Sequence, residues 1–288
     1  MAAGFDAVLP AGDLTVIANT GDDDEFWGLL VCPDIDAVVY RLAGVFNERA
    51  GYGQTDETFN TLEALDRLGE ETWFRLGDRD IAMHVLRADM LARGLTLTEA
   101  SLELGRRFQL RSRVVPMSDD RLRTRVITDR GNLSLQQYFV RDHLEPRLSG
   151  IEFDGQESAR PSPVALETVQ QAQLVVIGPS NPLISIDPIL TVLGAAVTRD
   201  KTVAVTPIVG GHALKGPTVE MMRAMDLDPS PVEVARMYRD RCSRFVLDTV
   251  DAELESQIAA LGYRVLVCDT VMSDGGIGLA RRIVEWAT

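Results

Sequence analysis

Lysine is nearly missing from this 288-residue sequence: Lys201 and Lys215 are the only two, and the rest of the Lys and Arg total is arginine. Long apolar runs are missing too: the longest have the length of a strand, far below the ~20 residues that a membrane span needs. The net charge is −14, so the basic face of a nucleic-acid scaffold is not expected. These absences predict a globular chain that neither spans a membrane nor binds nucleic acid.

Cysteine is scarce as well, and its three positions, Cys32, Cys242 and Cys268, form no CxxC spacing. An odd, scattered set predicts reduced thiols and argues against a disulfide or zinc framework. The first residues lack the basic and apolar regions of a secretion signal, so we expect a cytoplasmic protein. No GxSxG, HExxH or Walker-type motif occurs. Without a covalent nucleophile, phosphoryl-type transfer is a natural reaction class, because it depends on positioning and charge neutralisation.

The order of strand and helix patterns indicates an α/β fold. Residues 14–18 form a continuous apolar run, typical of a strand covered on both faces, and a helix is predicted over residues 33–46. From residue 162 onward, helical patterns alternate with predicted strands at residues 173–177, 202–206, 244–247 and 264–267. Such alternation predicts a mostly parallel, doubly wound, Rossmann-like sheet.

The middle of the chain shows a different pattern of predicted elements. Helical patterns follow one another over residues 57–108, and Thr96 with Glu99 matches a capping box. Strand patterns then flank a turn predicted at residues 129–132. We therefore predict a core formed by residues 1–50 and 150–288. Residues 51–149 are predicted to form a helical and hairpin insertion that caps it.

Polar loops follow three of the predicted strands. They read NTGDD at residues 19–23, GPSNP at 178–182 and TPIVGG at 206–211. Each alone is explained by the turn preferences of Gly, Pro, Ser and Asn. In open α/β sheets, however, ligands bind at the carboxyl ends of the strands, where small residues let backbone amides approach a phosphate. Three such loops on one edge favour a ligand site.

An acidic cluster surrounds the first loop. Residues 22–25 read DDDE, and Asp34 and Asp36 follow shortly after. Crowded carboxylates repel unless a cation joins them, and Mg²⁺ is commonly held by one or two carboxylates plus substrate phosphates. The alternative is a solvated acidic turn followed by acidic residues that a helix N-terminus favours. The residues alone do not decide between the two.

Residues 75–84 pack charges of both signs around a glycine at a predicted helix start. Arg75 and Arg79 suit a phosphate or a polar ring edge, whereas Asp78 or Asp80 is equally explained as a helix cap. His84 is better explained as a structural histidine, because no second His or Cys lies at ligand spacing. The loop at residues 116–120, PMSDD, is better explained as a cap than as a ligand site.

Five strings carry a specific resemblance. They are LTVIANTGDD at residues 14–23, CPDID at 32–36, LGDRD at 76–80, PMSDD at 116–120 and GPSNP at 178–182. In this order and spacing, over essentially the whole chain, they resemble the 2-phospho-L-lactate transferase family of coenzyme F-420 biosynthesis. The resemblance implies transfer of a phospho-lactyl or phosphoenolpyruvyl group from a guanosine-diphosphate-linked donor to the ribityl hydroxyl of FO, an 8-hydroxy-5-deazaflavin. It further implies release of GMP, a requirement for Mg²⁺ and a homodimer.

The resemblance also assigns residues. Asp36 and Arg75 match positions that contact FO, and Asp22 and Asp36 match carboxylates near the metal and the chemistry. The guanosine-phosphate side is implied to use Asn19, Thr20, Gly178, Ser180 and Asn181. Whether an aspartate or a metal-bound alkoxide accounts for deprotonation of the hydroxyl stays open.

One departure from the family accompanies the match. The family begins with a short strand and a glycine-rich loop, whereas residues 1–5 here match the helix that follows them, so that strand and phosphate cradle are expected to be absent. Two other classes of function compete with the transferase. One is a non-catalytic, nucleotide-sugar-binding regulator of the gluconeogenesis-factor type. The other is a dinucleotide oxidoreductase, which the absence of GxGxxG argues against.

Overall fold

A computed structural model describes residues 1–288, which form two compact units. The terminal unit combines Met1–Leu14 with Pro163–Thr288, and the central unit is Thr15–Ser162. Residues 15–50, grouped above with the core, therefore belong to the same unit as the predicted insertion. The reason is strand pairing: Thr15–Ala18 hydrogen-bonds in parallel to Arg113–Pro116, which lies within that insertion.

The bounds of the helices and strands are as follows. Up to residue 154 they are α1 (Ala2–Val8), β1 (Thr15–Ala18), β2 (Asp24–Phe26), β3 (Leu29–Val31), α2 (Pro33–Leu42), α3 (Asn60–Arg67), α4 (Asp78–Ala92), α5 (Leu97–Arg107), β4 (Arg113–Pro116), β5 (Arg123–Thr128), β6 (Gly131–Ser134), a π-helical turn (Gln137–Arg141) and β7 (Leu148–Asp154). The remainder are α6 (Pro163–Gln171), β8 (Val175–Ile177), a π-helical turn (Pro182–Ile186), α7 (Asp187–Leu193), β9 (Thr202–Val205), β10 (Ile208–Val209), β11 (His212–Ala213), α8 (Thr218–Ala224), α9 (Pro231–Met237), β12 (Arg244–Leu247), α10 (Glu255–Ala260), β13 (Arg264–Val267) and α11 (Ile277–Ala287), with short 3₁₀ turns at Gly194–Ala196, Arg199–Lys201 and Thr249–Leu254.

The terminal unit contains a four-stranded parallel sheet in the order β13-β12-β9-β8. All four residues of β9 are buried, as expected for a strand covered on both faces. Helix α1 packs against α11, so that Phe5 and Ile283 share a core with Val203 and Val246. The predicted α/β class with mostly parallel pairing is confirmed.

The central unit combines two kinds of sheet. The parallel pair β1-β4 packs with α2 and α5 around a core that includes Ile35, Val39 and Leu104. A three-stranded antiparallel sheet, β6-β5-β7, lies in the same unit, and along β5 the side chains alternate between half-buried and buried. The helices predicted in this part of the chain and the Thr96–Glu99 capping box are confirmed.

Several strands depart from the sequence-based expectation. The hairpin β2-β3 and the strand β7 were not predicted, because DEF and LSGIEFD lack a clean apolar alternation. Strand β6 begins at Gly131 rather than at Ser134, since Thr128 already pairs with Gly131 across a two-residue turn. No helix of the structure has the length and apolar character that a membrane span requires.

Gly4 provides a test of the contact between α1 and α11. A Cβ at this position would collide with the backbone carbonyl of Gly276, so Gly4→Ala is expected to lower the free energy of unfolding by roughly 1–3 kcal/mol. Gly105→Ala in α5 is the matched control, because its nearest neighbour is the flexible side chain of Leu110 at 3.5 Å. That change is expected to be neutral or stabilising by up to ~1 kcal/mol. Urea denaturation checks both, and equal stability of the two variants would contradict the close helix contact.

Candidate active site

The loop after β1 is organised by the side chain of Asn19. This buried side chain donates from Nδ2 to Asp22 Oδ1 at 2.8 Å and to Asp34 Oδ2 at 3.1 Å. Its Oδ1 accepts the backbone N–H of Gly21 at 2.8 Å. Because both carboxylates contact the same nitrogen, Asp22 and Asp34 lie close together at the carboxyl end of β1 and the first turn of α2. The structure therefore brings Asp34, rather than the predicted Asp36, to Asp22.

Three carbonyl oxygens fix the loop from its other side. Thr20 O accepts from Arg123 Nη1 at 3.2 Å, and Gly21 O accepts from the backbone N–H of Thr124 at 2.7 Å. Asp22 O accepts from Gln136 Nε2 at 3.0 Å. Strand β5 and the residue that precedes the π-helical turn thus hold the main chain of the loop. Arg123 and Gln136 were missed by sequence reasoning, because neither belongs to a motif and both lie over 100 residues from the loop.

Burial and repulsion shape the charge of this loop. The pKa of Asp22 is raised well above its usual range, first by burial and then by the nearby carboxylate of Asp34. Asp23 is buried, and neither of its carboxylate oxygens accepts a regular hydrogen bond. Burial raises the pKa of Asp23 to about 8, although the Arg123 guanidinium opposes the shift. The loop is therefore an acidic site that a cation would stabilise.

Asp36 forms a buried ion pair with Arg87 of α4. The guanidinium of Arg87 contacts both of its oxygens, through a close Nη2–Oδ1 pair and an Nη1–Oδ2 distance of 3.2 Å. Arg87 Nη1 also donates to Leu30 O at 3.1 Å, and His84 Nδ1 lies 3.7 Å from Asp36 Oδ2. Arg87 thus supplies the cation that Asp36 needs. The roles of Asp36 toward a metal and toward FO stay predictions.

His84 behaves as a structural residue of this pair. It is buried, and burial lowers its pKa to about 4, with Arg87 adding to the shift and Asp36 opposing it. The imidazole is therefore neutral at physiological pH. No group of three or more His, Cys, Asp or Glu side chains in the 288 residues is placed to hold a metal ion.

The segment before α4 is held by reciprocal helix caps. Asp78 accepts hydrogen bonds from the backbone N–H groups of Asn60 and Thr61, so it caps α3 rather than its own helix. Glu57 in turn accepts the backbone N–H groups of Arg79 and Asp80 at the start of α4. These contacts fix the end of the connection that carries Arg75. The Arg75 side chain is exposed, and its guanidinium lies 4.5 Å from the centre of the Phe59 ring.

Two further predicted loops, at residues 116–120 and 178–182, are held by hydrogen bonds to their own side chains. In the loop at residues 116–120, Asp119 accepts the backbone N–H of Thr98 at 2.7 Å and Asp120 accepts that of Arg160 at 2.8 Å, as the cap interpretation expects.

In the terminal unit, Gly178, Ser180 and Asn181 follow β8. Asn181 Oδ1 accepts the backbone N–H of Leu183 at 2.9 Å, and its Nδ2 lies 3.4 Å from Met221 Sδ. Sequence reasoning thus located a polar loop after β8, and its nucleotide-binding role stays a prediction.

The Asp36–Arg87 pair is expected to contribute to stability. Asp36→Ala leaves Arg87 buried without its counter-charge and should lower the free energy of unfolding by roughly 3–5 kcal/mol. The matched control is Asp89→Ala, which removes the exposed Asp89–Arg93 pair and should cost less than ~1 kcal/mol. Urea denaturation compares the two. If Asp36→Ala has the same free energy of unfolding as wild type, the ion pair is not formed in solution. If the double variant Asp36→Ala/Arg87→Met regains stability relative to Asp36→Ala, the ion pair is confirmed.

Asp80 and His84 give stability terms of opposite sign. Burial raises the pKa of Asp80 to about 6, so this group contributes stability that is lost as the pH rises from about 4 to 6. The lowered pKa of His84 contributes stability that is lost as the pH falls from 6.5 to about 4. In Asp80→Asn protein, the contribution of His84 remains and that of Asp80 is removed. Its free energy of unfolding should then rise with pH more steeply than that of wild type, by up to roughly 3 kcal/mol between pH 4 and 6.

Urea denaturation at pH 4, 5, 6 and 7 measures this difference. His84→Gln is the counterpart and should flatten or reverse the slope. Parallel profiles for Asp80→Asn and wild type would show that Asp80 does not titrate with folding.

Comparisons with known proteins identify the family of this chain. A family model described as 2-phospho-L-lactate transferase CofD matches residues 1–271. A 2-phospho-L-lactate transferase from Methanosarcina barkeri is 36% identical over 94% of this chain and 88% of its own length. A phosphoenolpyruvate transferase from Streptomyces griseus is 37% identical over 99% of this chain and 93% of its own. A crystal structure of a UPF0052-family protein from Bacillus halodurans, 15% identical, shares the fold with a TM-score of 0.61 over 98% of this chain and 94% of that one. This chain belongs to the 2-phospho-L-lactate transferase family.

Proposed function

We propose that this chain moves a phospho-lactyl or phosphoenolpyruvyl group from a guanosine-diphosphate-linked donor to the ribityl hydroxyl of FO and releases GMP, with Mg²⁺ as cofactor. Family membership supports the transfer of such a group. The observation that carries the proposal is the pair of carboxylates, Asp22 and Asp34, held by one amide at the end of a strand. Relatives of nearly equal identity carry both donor names, so both donors belong to the proposal.

The residues present fit a magnesium ion. Asp22 and Asp34 contact the same Nδ2 of Asn19, and their mutual repulsion adds to the raised pKa of Asp22. Two carboxylates complemented by substrate phosphates form a common Mg²⁺ site. Bound Mg²⁺ would neutralise the phosphate charge of the donor. Asn19 orients both carboxylates, while Arg123 and Gln136 keep the loop main chain in place.

The remaining assignments rest on the family resemblance. Arg75 is exposed on the connection before α4, and the Gly178–Asn181 loop follows β8. Their proposed partners are FO and the guanosine-phosphate end of the donor. A homodimer in the cytoplasm is part of the same proposal, and light scattering on the purified protein tests the dimer.

Turnover tests the proposal directly. Purified protein given Mg²⁺, FO and the guanylylated donor is expected to release GMP, and mass analysis of the product identifies which donor is used. Asp22→Asn should reduce turnover by roughly 100-fold or more, because it weakens the carboxylate pair that meets the cation. Asp24→Asn is the neighbouring control, since Asp24 Oδ1 accepts only the adjacent backbone N–H of Glu25.

Two results would count against the transferase. Absence of GMP with either donor contradicts the reaction. Binding of a guanine nucleotide without saturable binding of FO would instead support the regulator. If Asp22→Asn and Asp24→Asn lose turnover equally, the Asp22–Asp34 pair held by Asn19 has no special role in the reaction.

A further inference from the structure

Four aromatic side chains form one cluster in the central unit. Phe26 stacks on Phe74 with ring centres 4.2 Å apart and planes inclined by 8°. Trp73 meets both rings edge-on, at 5.4 Å from Phe26 and 5.8 Å from Phe74. Trp27 lies 6.1 Å from Phe26. We refer to Phe26, Trp27, Trp73 and Phe74 as the aromatic platform.

The platform differs from the aromatic residues of the protein interior. All four of its side chains are half-buried, whereas Phe5, Tyr40, Phe46 and Phe245 are buried. Aromatic residues make up only 6% of the chain, yet two of its three tryptophans lie in this one cluster. Part of each of these four residues therefore remains exposed.

Trp27 occupies a position that its side chain disfavours. It is the first residue of the two-residue turn between β2 and β3, where Trp27 has φ 51° and Gly28 has φ 79°. Positive φ at both positions is the pattern of a type I′ turn, for which Asn-Gly is the preferred pair. A bulky residue in the left-handed region is unusual. The conformation of the turn therefore does not explain why residue 27 is a tryptophan. We infer that the indole ring has a role of its own.

The surroundings of the platform match the proposed acceptor site. Phe74 directly precedes Arg75, the residue that the family resemblance assigns to FO. Phe26 follows Asp23 by three residues along β2, which spans about 10 Å of extended chain. Arg141 of the π-helical turn lies 5.9 Å from the Trp73 ring centre, and the preceding side chains of that turn include the exposed Phe139. Rings, a cation and the acidic loop thus occur within one unit.

We infer that the aromatic platform binds the planar deazaflavin ring of the acceptor by stacking. This inference rests on the proposed function, because it takes FO as the acceptor. The other planar group in the reaction is the guanine of the donor. FO is favoured because Trp73 and Phe74 directly precede Arg75, the residue that the family resemblance assigns to FO.

Tryptophan substitutions test the stacking by direct binding of FO, without turnover. Trp73→Leu and Trp27→Asn are each expected to raise the Kd for FO by roughly 5- to 100-fold, the loss that removal of one stacked aromatic ring produces. Trp286→Leu is the matched control. Like Trp73, Trp286 is half-buried with an arginine over its ring, here Arg264 at 5.1 Å, but it lies in the terminal unit. Its Kd for FO should equal that of wild type.

Thermal melts and a GMP titration separate the alternatives. Trp27→Asn places a favoured residue in the turn, so its melting temperature should stay within a few degrees of wild type while FO binding falls. Unchanged FO affinity in both platform variants, or affinity lost only together with the fold, would overturn the stacking role. Weakened GMP binding with normal FO binding would assign the platform to guanine and overturn it as well. Wild-type protein that binds no FO would contradict the proposed function itself.

Discussion

One side-chain amide organises the acidic loop. Asn19 joins the end of β1 to the first turn of α2 by donating to Asp22 and Asp34, and it closes the loop on itself through Gly21. A neutral amide can hold two carboxylates side by side without cancelling their charge. A lysine or arginine at position 19 would supply the cation itself and leave nothing for a metal. The choice of Asn is therefore what keeps this site acidic.

The carboxylates of the central unit fall into two electrostatic classes. Asp36 is buried beside the guanidinium of Arg87, which supplies an opposite charge at contact distance. Asp22 and Asp23 form no such ion pair, and burial raises the pKa of each, although Arg123 and Arg87 oppose the shift at Asp23. The first class contributes to stability, while the second class is costly to fold in its ionised form. Groups that are unfavourable without a ligand are the natural candidates for binding one.

The sequence predicts the parts of this structure that local patterns encode. Strands such as β9 and β12 are continuous apolar runs, and the Thr96–Glu99 box marks the start of α5, so their positions follow from spacing alone. The hairpin β2-β3 could not be predicted, because its turn residue is a tryptophan rather than the usual Asn. Contacts between residues far apart in the sequence could not be predicted for a different reason. Arg87 and Asp36 are 51 positions apart, and no local pattern indicates that the two side chains meet.

The same limit explains why Asp34 replaces Asp36 beside Asp22. Both aspartates lie in the first turn of α2, two residues apart, and successive positions at that spacing face different sides of a helix. Asp34 faces the loop after β1, whereas Asp36 faces the interior, where α4 supplies Arg87. The motif CPDID therefore serves two purposes with two carboxylates. One shapes the acidic loop, and the other pairs with Arg87 of α4, so the ion pair lies close enough to the loop for Arg87 to lower the pKa of Asp23.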